Sequence, residues 1–108
     1  MPYSISLTDS ALRDLLDIDR YITHSDAIEK ADHVLSKIEN TISSLSQFPE
    51  RGAYPPELAA LGIREFREVF FKPYRIIYRV IGKKVYTYLI ADGRRDMQTL
   101  LKRRLLDI

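Results

Sequence analysis

The chain has 108 residues, with 17 Lys and Arg against 15 Asp and Glu and no cysteine. That length holds one hydrophobic core, residues 1–108 as one domain, and the missing cysteine excludes disulfides and thiolate metal sites. No apolar run reaches the roughly 18 residues of a spanning helix, and MPYSISLTDSA carries no basic stretch ahead of an apolar one, so no signal peptide is read and a cytoplasmic protein is expected.

Tyr3–Leu7 alternates Tyr3, Ile5 and Leu7 with Ser4 and Ser6, the pattern of a short strand with one buried face. Thr8 suits the N-cap of a helix to about Thr23, whose apolar stripe is Leu12, Leu15, Leu16 and Ile22. Ser25 or Asp26 suits the cap of a second helix, with Asp26 and Glu29 spaced as a capping box. Along it Ile28, Ala31, Leu35, Ile38, Ile42 and Leu45 step by three and four, a seam that packs on the first helix and on a sheet. The two helices have almost no linker, which predicts an antiparallel hairpin.

Phe48 to Gly62 is punctuated by prolines and glycines and reads as a loop, with one helical turn at Pro56–Leu61 that stops on Gly62. Three strands follow, at about Glu65–Phe71, Tyr74–Ile81 and Lys84–Ala91. Gly82-Lys83 suits a two-residue turn with glycine first. Asp96 then caps a C-terminal helix carrying Met97, Leu100, Leu101 and Leu105 on one side. The expected fold is α+β: an N-terminal strand and helical hairpin packed on an antiparallel sheet (β-α-α-β-β-β), with a C-terminal helix.

Charge is divided unevenly. Residues 1–54 hold 5 basic and 9 acidic residues, a balance of −4, whereas residues 55–108 hold 12 and 6, a balance of +6. The second half is therefore expected to face an anionic partner, nucleic acid or an acidic protein segment; attraction between the two halves is the plainer alternative. Period-2 alternation puts Arg75, Ile77 and Arg79 on one, solvated face of their strand and Ile76, Tyr78 and Val80 on the core face. Arg94 and Arg95 follow the next strand, so four arginines are expected to converge on one surface. The alternative for Arg75 and Arg79 is a cross-strand salt ladder with Glu65 or Glu68. Tyr86, Tyr88 and Ile90 are expected together on one face. His24 and His33 carry no metal-ligand spacing, and no glycine-rich phosphate loop is present, so neither metal nor cofactor is expected.

With these residues in hand the chain resembles the RelE/ParE superfamily of bacterial toxins from type II toxin–antitoxin modules, and within it the ParE-like plasmid stabilisation proteins. The resemblance rests on the opening strand into Leu7-Thr8, FPERG at Phe48–Gly52, Leu61-Gly62-Ile63-Arg64, KPYRIIYRV at Lys72–Val80 and DGRRDMQTLL at Asp92–Leu101. It implies a cognate antitoxin whose disordered segment folds over the toxin, and a toxin homodimer or toxin–antitoxin hetero-oligomer as the assembly. It also implies one of two targets. ParE-like members poison DNA gyrase by binding; RelE-like members cut messenger RNA at the ribosome. RNA cleavage through the 2′-hydroxyl needs a base, an acid and cations for the phosphate. Arg75 matches the strand arginine that RNA-cleaving relatives use, but no His or Tyr follows Ala91, which leaves Glu65, Glu68 or Lys72 to serve as base. The resemblance therefore implies growth arrest by gyrase inhibition, with Arg75, Arg79, Arg94 and Arg95 as the target- or phosphate-binding surface.

Overall fold

The computed structural model describes residues 2–106, in the order β1 (Ser4–Leu7), α1 (Asp9–Ser25), α2 (Ile28–Ser43), a 3-10 turn (Ser44–Ser46), α3 (Pro56–Ala59), β2 (Arg67–Phe71), β3 (Tyr74–Ile81), β4 (Lys84–Asp92) and α4 (Met97–Leu105). The strands form one sheet in the order β1-β4-β3-β2. β2, β3 and β4 run as an antiparallel meander, and β1 joins its far edge parallel to β4, pairing Ser4–Leu7 with Lys84–Thr87. The expected α+β fold is present.

Local signals set the ends of these elements. Thr8 caps α1, its hydroxyl accepting from Ala11 N at 3.1 Å, and Asp96 caps α4 through Thr99 N at 3.2 Å. Gly82 takes φ +60 in the two-residue turn between the paired residues Ile81 and Lys84, a conformation glycine adopts without steric cost. Between β2 and β3 the Lys72-Pro73 peptide is cis. The expected capping box of α2 does not form. Ala27 is its N-cap, without a side-chain bond, and Asp26 instead pairs with Lys30 at 2.9 Å. β2 begins at Arg67, two residues later than expected.

The helical hairpin covers one sheet face, where Leu15, Ile38, Ile42 and Leu45 meet Val69, Ile76, Tyr78, Val85 and Ile90. Its stripe is narrower than the sequence suggests. Leu12 and Leu16 are half exposed (50% and 51%), and Ile28 is exposed at the start of α2. Leu15 and Ile22 of the expected stripe carry the contact, joined by Ala11. The other sheet face is also covered. Ile77, Leu89 and Ala91 pack under Met97, Leu100 and Leu101 of α4, with Leu58 of α3 and Phe66. α4 is amphipathic and needs a face to bury, and this second face is the one it takes. A strand face expected to be solvated is therefore a second core.

A bulge refines the pattern on β4. The register shifts between Ile77 and Tyr78, so that Ile77 pairs with Leu89 but Tyr78 with Thr87, leaving Tyr88 as the extra residue. Tyr88 thus joins the α4 side, in edge-to-face contact with Phe66, while Ile90 turns to the hairpin side. The expected common face for Tyr86, Tyr88 and Ile90 is broken there.

Candidate functional site

Arg75 lies at the centre of the basic half, and the structure puts it to internal use. Its Nε donates to Glu68 Oε1 at 2.8 Å, and its two terminal nitrogens donate to the Glu57 carboxylate at 2.8 and 2.7 Å. A further approach to Glu68 is 2.6 Å. Glu68 is the β2 neighbour in the salt-ladder alternative, but Glu57 comes from α3, eighteen residues earlier in the chain. All three are withdrawn from water; the Glu68 side chain is only 4% exposed and that of Arg75 11%. All three guanidinium nitrogens are engaged by carboxylate oxygens, an arrangement that offsets desolvation of buried charge. The hydrogen bonds from Arg75 hold the Glu57 carboxyl below the ordinary carboxylate value, whereas burial pushes Glu68 up against the opposing pull of Arg75. The Arg75 guanidinium stays charged, its proton held more tightly by Glu57 above all. Gly93 completes the clasp: a Cβ there would come within 3.0 Å of Arg75 Cδ, and Gly93 N bonds Pro73 O at 2.8 Å.

The four arginines do not converge. Arg79 is four residues along β3 from Arg75, a separation of about 13 Å, and its guanidinium sits over the Phe66 ring at 5.8 Å. Arg94 folds back on the turn that follows β4. It bonds the Asp92 carboxylate through its backbone N at 2.9 Å, Nε at 2.9 Å and Nη2 at 2.6 Å. Arg95 is exposed beside it. Both border a groove of about 350 Å³ between α1 and the end of β4, which Asp17, Tyr21 and Tyr74 also line. Burial pushes the Tyr74 hydroxyl up, and Asp92 adds to the shift. Of the remaining candidates, Lys72 and Glu65 are exposed, Lys72 in the β2–β3 turn and Glu65 ahead of β2. Among the described residues no group of three or more His, Cys, Asp and Glu is placed to hold a metal ion.

Asp92 yields a pH prediction. Its carboxyl lies below the ordinary value, chiefly because Arg94 donates to it. A depressed folded-state pKa gives stability that is present above about pH 4, the unfolded value, and is lost as the pH falls through the folded one. Asp92→Asn is therefore expected to reduce the loss of thermal midpoint between about pH 5 and pH 3, measured by circular dichroism. An unchanged pH profile would show that the Asp92–Arg94 contact contributes nothing.

Two further sets of polar contacts join residues far apart in the chain, without a local pattern to mark them. β1 stops at Leu7, so the outer edge of β4 beyond Thr87 lacks a strand partner. Side chains take its place: Asp14 Oδ2 accepts from Ile90 N at 3.0 Å, and Arg104 donates to Tyr88 O at 3.0 Å. Arg104 also pairs with both Asp14 oxygens, at 3.0 and 2.9 Å. This clamp ties α1, β4 and α4 together. Arg67 is likewise structural, donating to Gly52 O at 2.8 Å and to Glu50 O at 3.3 Å.

The fold and these side chains can be set beside known proteins. The family model described as ParE toxin of type II toxin–antitoxin system, parDE, matches residues 5–97. The chain belongs to the ParE toxin family. Toxin ParE3 of Caulobacter vibrioides is 30% identical over 91 residues, 84% of this chain and 87% of that protein. Among solved structures, a chain of the chromosomal ParDE toxin–antitoxin system from P. aeruginosa is similar with a TM-score of 0.70 and 24% identity, over 83% of this chain and 95% of that one. A mutant of the E. coli toxin RelE in the free state gives a TM-score of 0.65 at 15% identity, over 97% and 100% of the two chains. The structural likenesses establish a shared fold; the family match makes this chain a toxin of a type II toxin–antitoxin system. In this ParE-family chain the strand arginine is buried in a double carboxylate clasp, and the glycine-arginine turn closes on its own aspartate.

Proposed function

We propose that residues 1–108 act in the cytoplasm as one ParE-like toxin domain that inhibits DNA gyrase by binding it, without cleaving RNA, and that a cognate antitoxin neutralises it. The observation that carries the non-cleaving reading is the state of Arg75. Each of its guanidinium nitrogens donates to Glu57 or Glu68, so no free donor fork remains for a scissile phosphate. Glu68 is committed to the same clasp, and neither a His nor a Tyr follows Arg94 to protonate a leaving oxygen. A surface without that machinery still suits protein binding. The antitoxin reading is supported by the +6 balance of the second half, by Leu12 and Leu16 one turn apart and half exposed on α1, and by relatives that include the toxin–antitoxin complex RelBE2 of Mycobacterium tuberculosis. A disordered acidic or amphipathic segment that folds on binding could cover both kinds of surface.

The test is a pair of assays on the purified chain. Supercoiling by gyrase is expected to stop while messages in a translation extract stay intact, and the cognate antitoxin is expected to restore supercoiling. Cut messages with undiminished supercoiling would overturn the reading in favour of a ribosome-dependent endoribonuclease. Loss of neither activity would reject both targets.

A further inference from the structure

Two arginines without an internal hydrogen-bond partner among the described residues, Arg64 and Arg79, lie at the opposite end of the sheet from Arg94. A hollow of about 410 Å³ opens beside the β3–β4 turn, walled by Arg64, Arg67 and Arg79 with Tyr3, Glu50 and Glu65. Each guanidinium is oriented by an aromatic ring or by backbone. Arg79 sits over Phe66 at 5.8 Å, and Arg64 and Arg67 lie over the Tyr54 ring at 5.9 and 4.7 Å. Lys83, the neighbour of the lining residue Gly82, stands over Tyr3 at 5.6 Å. Among the described residues none of these three arginines has a carboxylate oxygen within 4.0 Å, Glu50 and Glu65 included. Arg64 and Arg79 donate no hydrogen bond within the described residues, whereas Arg75, Arg94 and Arg104 are all engaged with carboxylates.

A ring within about 6 Å attracts a guanidinium without using its N–H donors, which stay free for an anion. Donors from two separate segments, Arg64 ahead of β2 and Arg79 on β3, suit a tetrahedral oxyanion that offers oxygens to both; a planar carboxylate is satisfied by a single fork. We propose that this hollow is a phosphate-binding subsite, read by Arg64 and Arg79 from either side while Arg67 fixes the loop behind them. The ligand is a phosphate group, either of a nucleic-acid backbone or of a small phosphate compound. The assignment does not depend on which target the toxin poisons.

The experiment uses the full-length chain and follows the arginine Nε–H resonances by NMR. The probes are inorganic phosphate, a short single-stranded oligodeoxynucleotide and a short duplex. Phosphate is expected to shift the Arg64 and Arg79 signals and leave those of Arg75 in place. Arg64→Gln/Arg79→Gln is expected to weaken binding roughly ten-fold or more and to lower the salt slope of oligonucleotide binding by about one to two. Arg94→Gln/Arg95→Gln serves as the control and keeps most of the affinity. Oligonucleotide binding that inorganic phosphate competes away assigns the site to a backbone; a response to inorganic phosphate alone assigns it to a small compound. The proposal is overturned if no probe moves the two signals in the wild-type chain. It is equally overturned if the folded Arg64/Arg79 variant binds as before, or if the control variant loses as much. The wild-type signals decide the matter even where a variant does not fold.

Discussion

Arg75→Ala is expected to destabilise the fold by about 3–5 kcal/mol, the cost of removing one partner from a buried ion pair or triad. Period-2 alternation alone puts Arg75 on a solvated strand face, from which its removal would spare the fold. Its face is instead roofed by α3, α4 and Phe66, and its loss leaves two carboxylates facing each other without a cation. Glu68 is the more costly of the two because it is nearly buried. Already raised by burial, its pKa loses the Arg75 pull that opposes the shift and moves further up. A carboxyl raised in the folded state gives stability that is present below the unfolded value and lost as pH rises through the folded one. The deficit of Arg75→Ala is therefore expected to be largest above neutrality and to shrink on acidification, in urea unfolding series from about pH 8 to pH 5. A cavity from the lost side chain alone has no such pH dependence. Replacing the whole set, as in Arg75→Met/Glu57→Leu/Glu68→Leu, removes the charges together and is expected to recover most of the loss. If Arg75→Ala unfolds within about 0.5 kcal/mol of the wild type, the scale of an unremarkable surface change, the clasp does not hold α3 to the sheet. Loss of toxicity in this variant is not informative by itself, because an unfolded toxin is also inactive.

Which features could be read from the chain follows from how far apart the interacting residues lie. Thr8, Asp96, Gly62 and Gly82 act within one turn of themselves, and their roles were legible as caps and turns. Ile63 N bonding back to Leu58 O around Gly62 is the same local logic. The strand alternation of β3 was also legible: Ile76, Tyr78 and Val80 do share the hairpin face. What alternation cannot say is whether the opposite face meets water. Ile77 between two arginines, and an amphipathic α4 with no other surface to bury, were the signals that it does not. Glu57 sits in a loop without a period to read, and Asp14 finds Arg104 ninety positions away. Arg64 lies outside regular structure, and Arg67 bonds back to a loop fifteen residues away, so the hollow they share with Arg79 had no sequence pattern. The candidate site thus changed in composition. Arg79 keeps a free guanidinium, Arg75 does not, and Arg94 is tied to Asp92.

Gly52→Ala is expected to cost about 2–4 kcal/mol, combining overpacking with loss of a buried hydroxyl's partner. A Cβ on Gly52 would stand 2.6 Å from Glu68 O, 2.7 Å from Tyr78 Oη and 2.9 Å from Tyr78 Cε1. None of these atoms is a free chain end. Glu68 O accepts from Ala53 N at 3.2 Å in the bridge that closes this edge of β2, and Glu68 N donates back to Ala53 O at 2.8 Å. The Tyr78 ring is fully buried, and its hydroxyl accepts from Gly52 N at 3.0 Å and donates to Pro49 O at 2.7 Å. The added methyl must therefore push the 49–53 loop outward, breaking the bridge and stranding the hydroxyl together. Tyr78→Phe alone removes only the hydroxyl and is expected to cost about 1–3 kcal/mol, through unpaired Gly52 N and Pro49 O. In the Gly52→Ala background the same change is expected to cost little, because the bonds it deletes are already gone and the clash is eased. The double-mutant cycle should thus show coupling of about 1–2 kcal/mol. The loop also holds Arg67 through the Gly52 and Glu50 carbonyls, so Gly52→Ala should weaken phosphate binding as well as the fold, even under conditions where the chain stays folded. Additive costs in the cycle, or an unfolding midpoint equal to that of the wild type, would mean that the loop accommodates a side chain at this position and that Tyr78 does not anchor it.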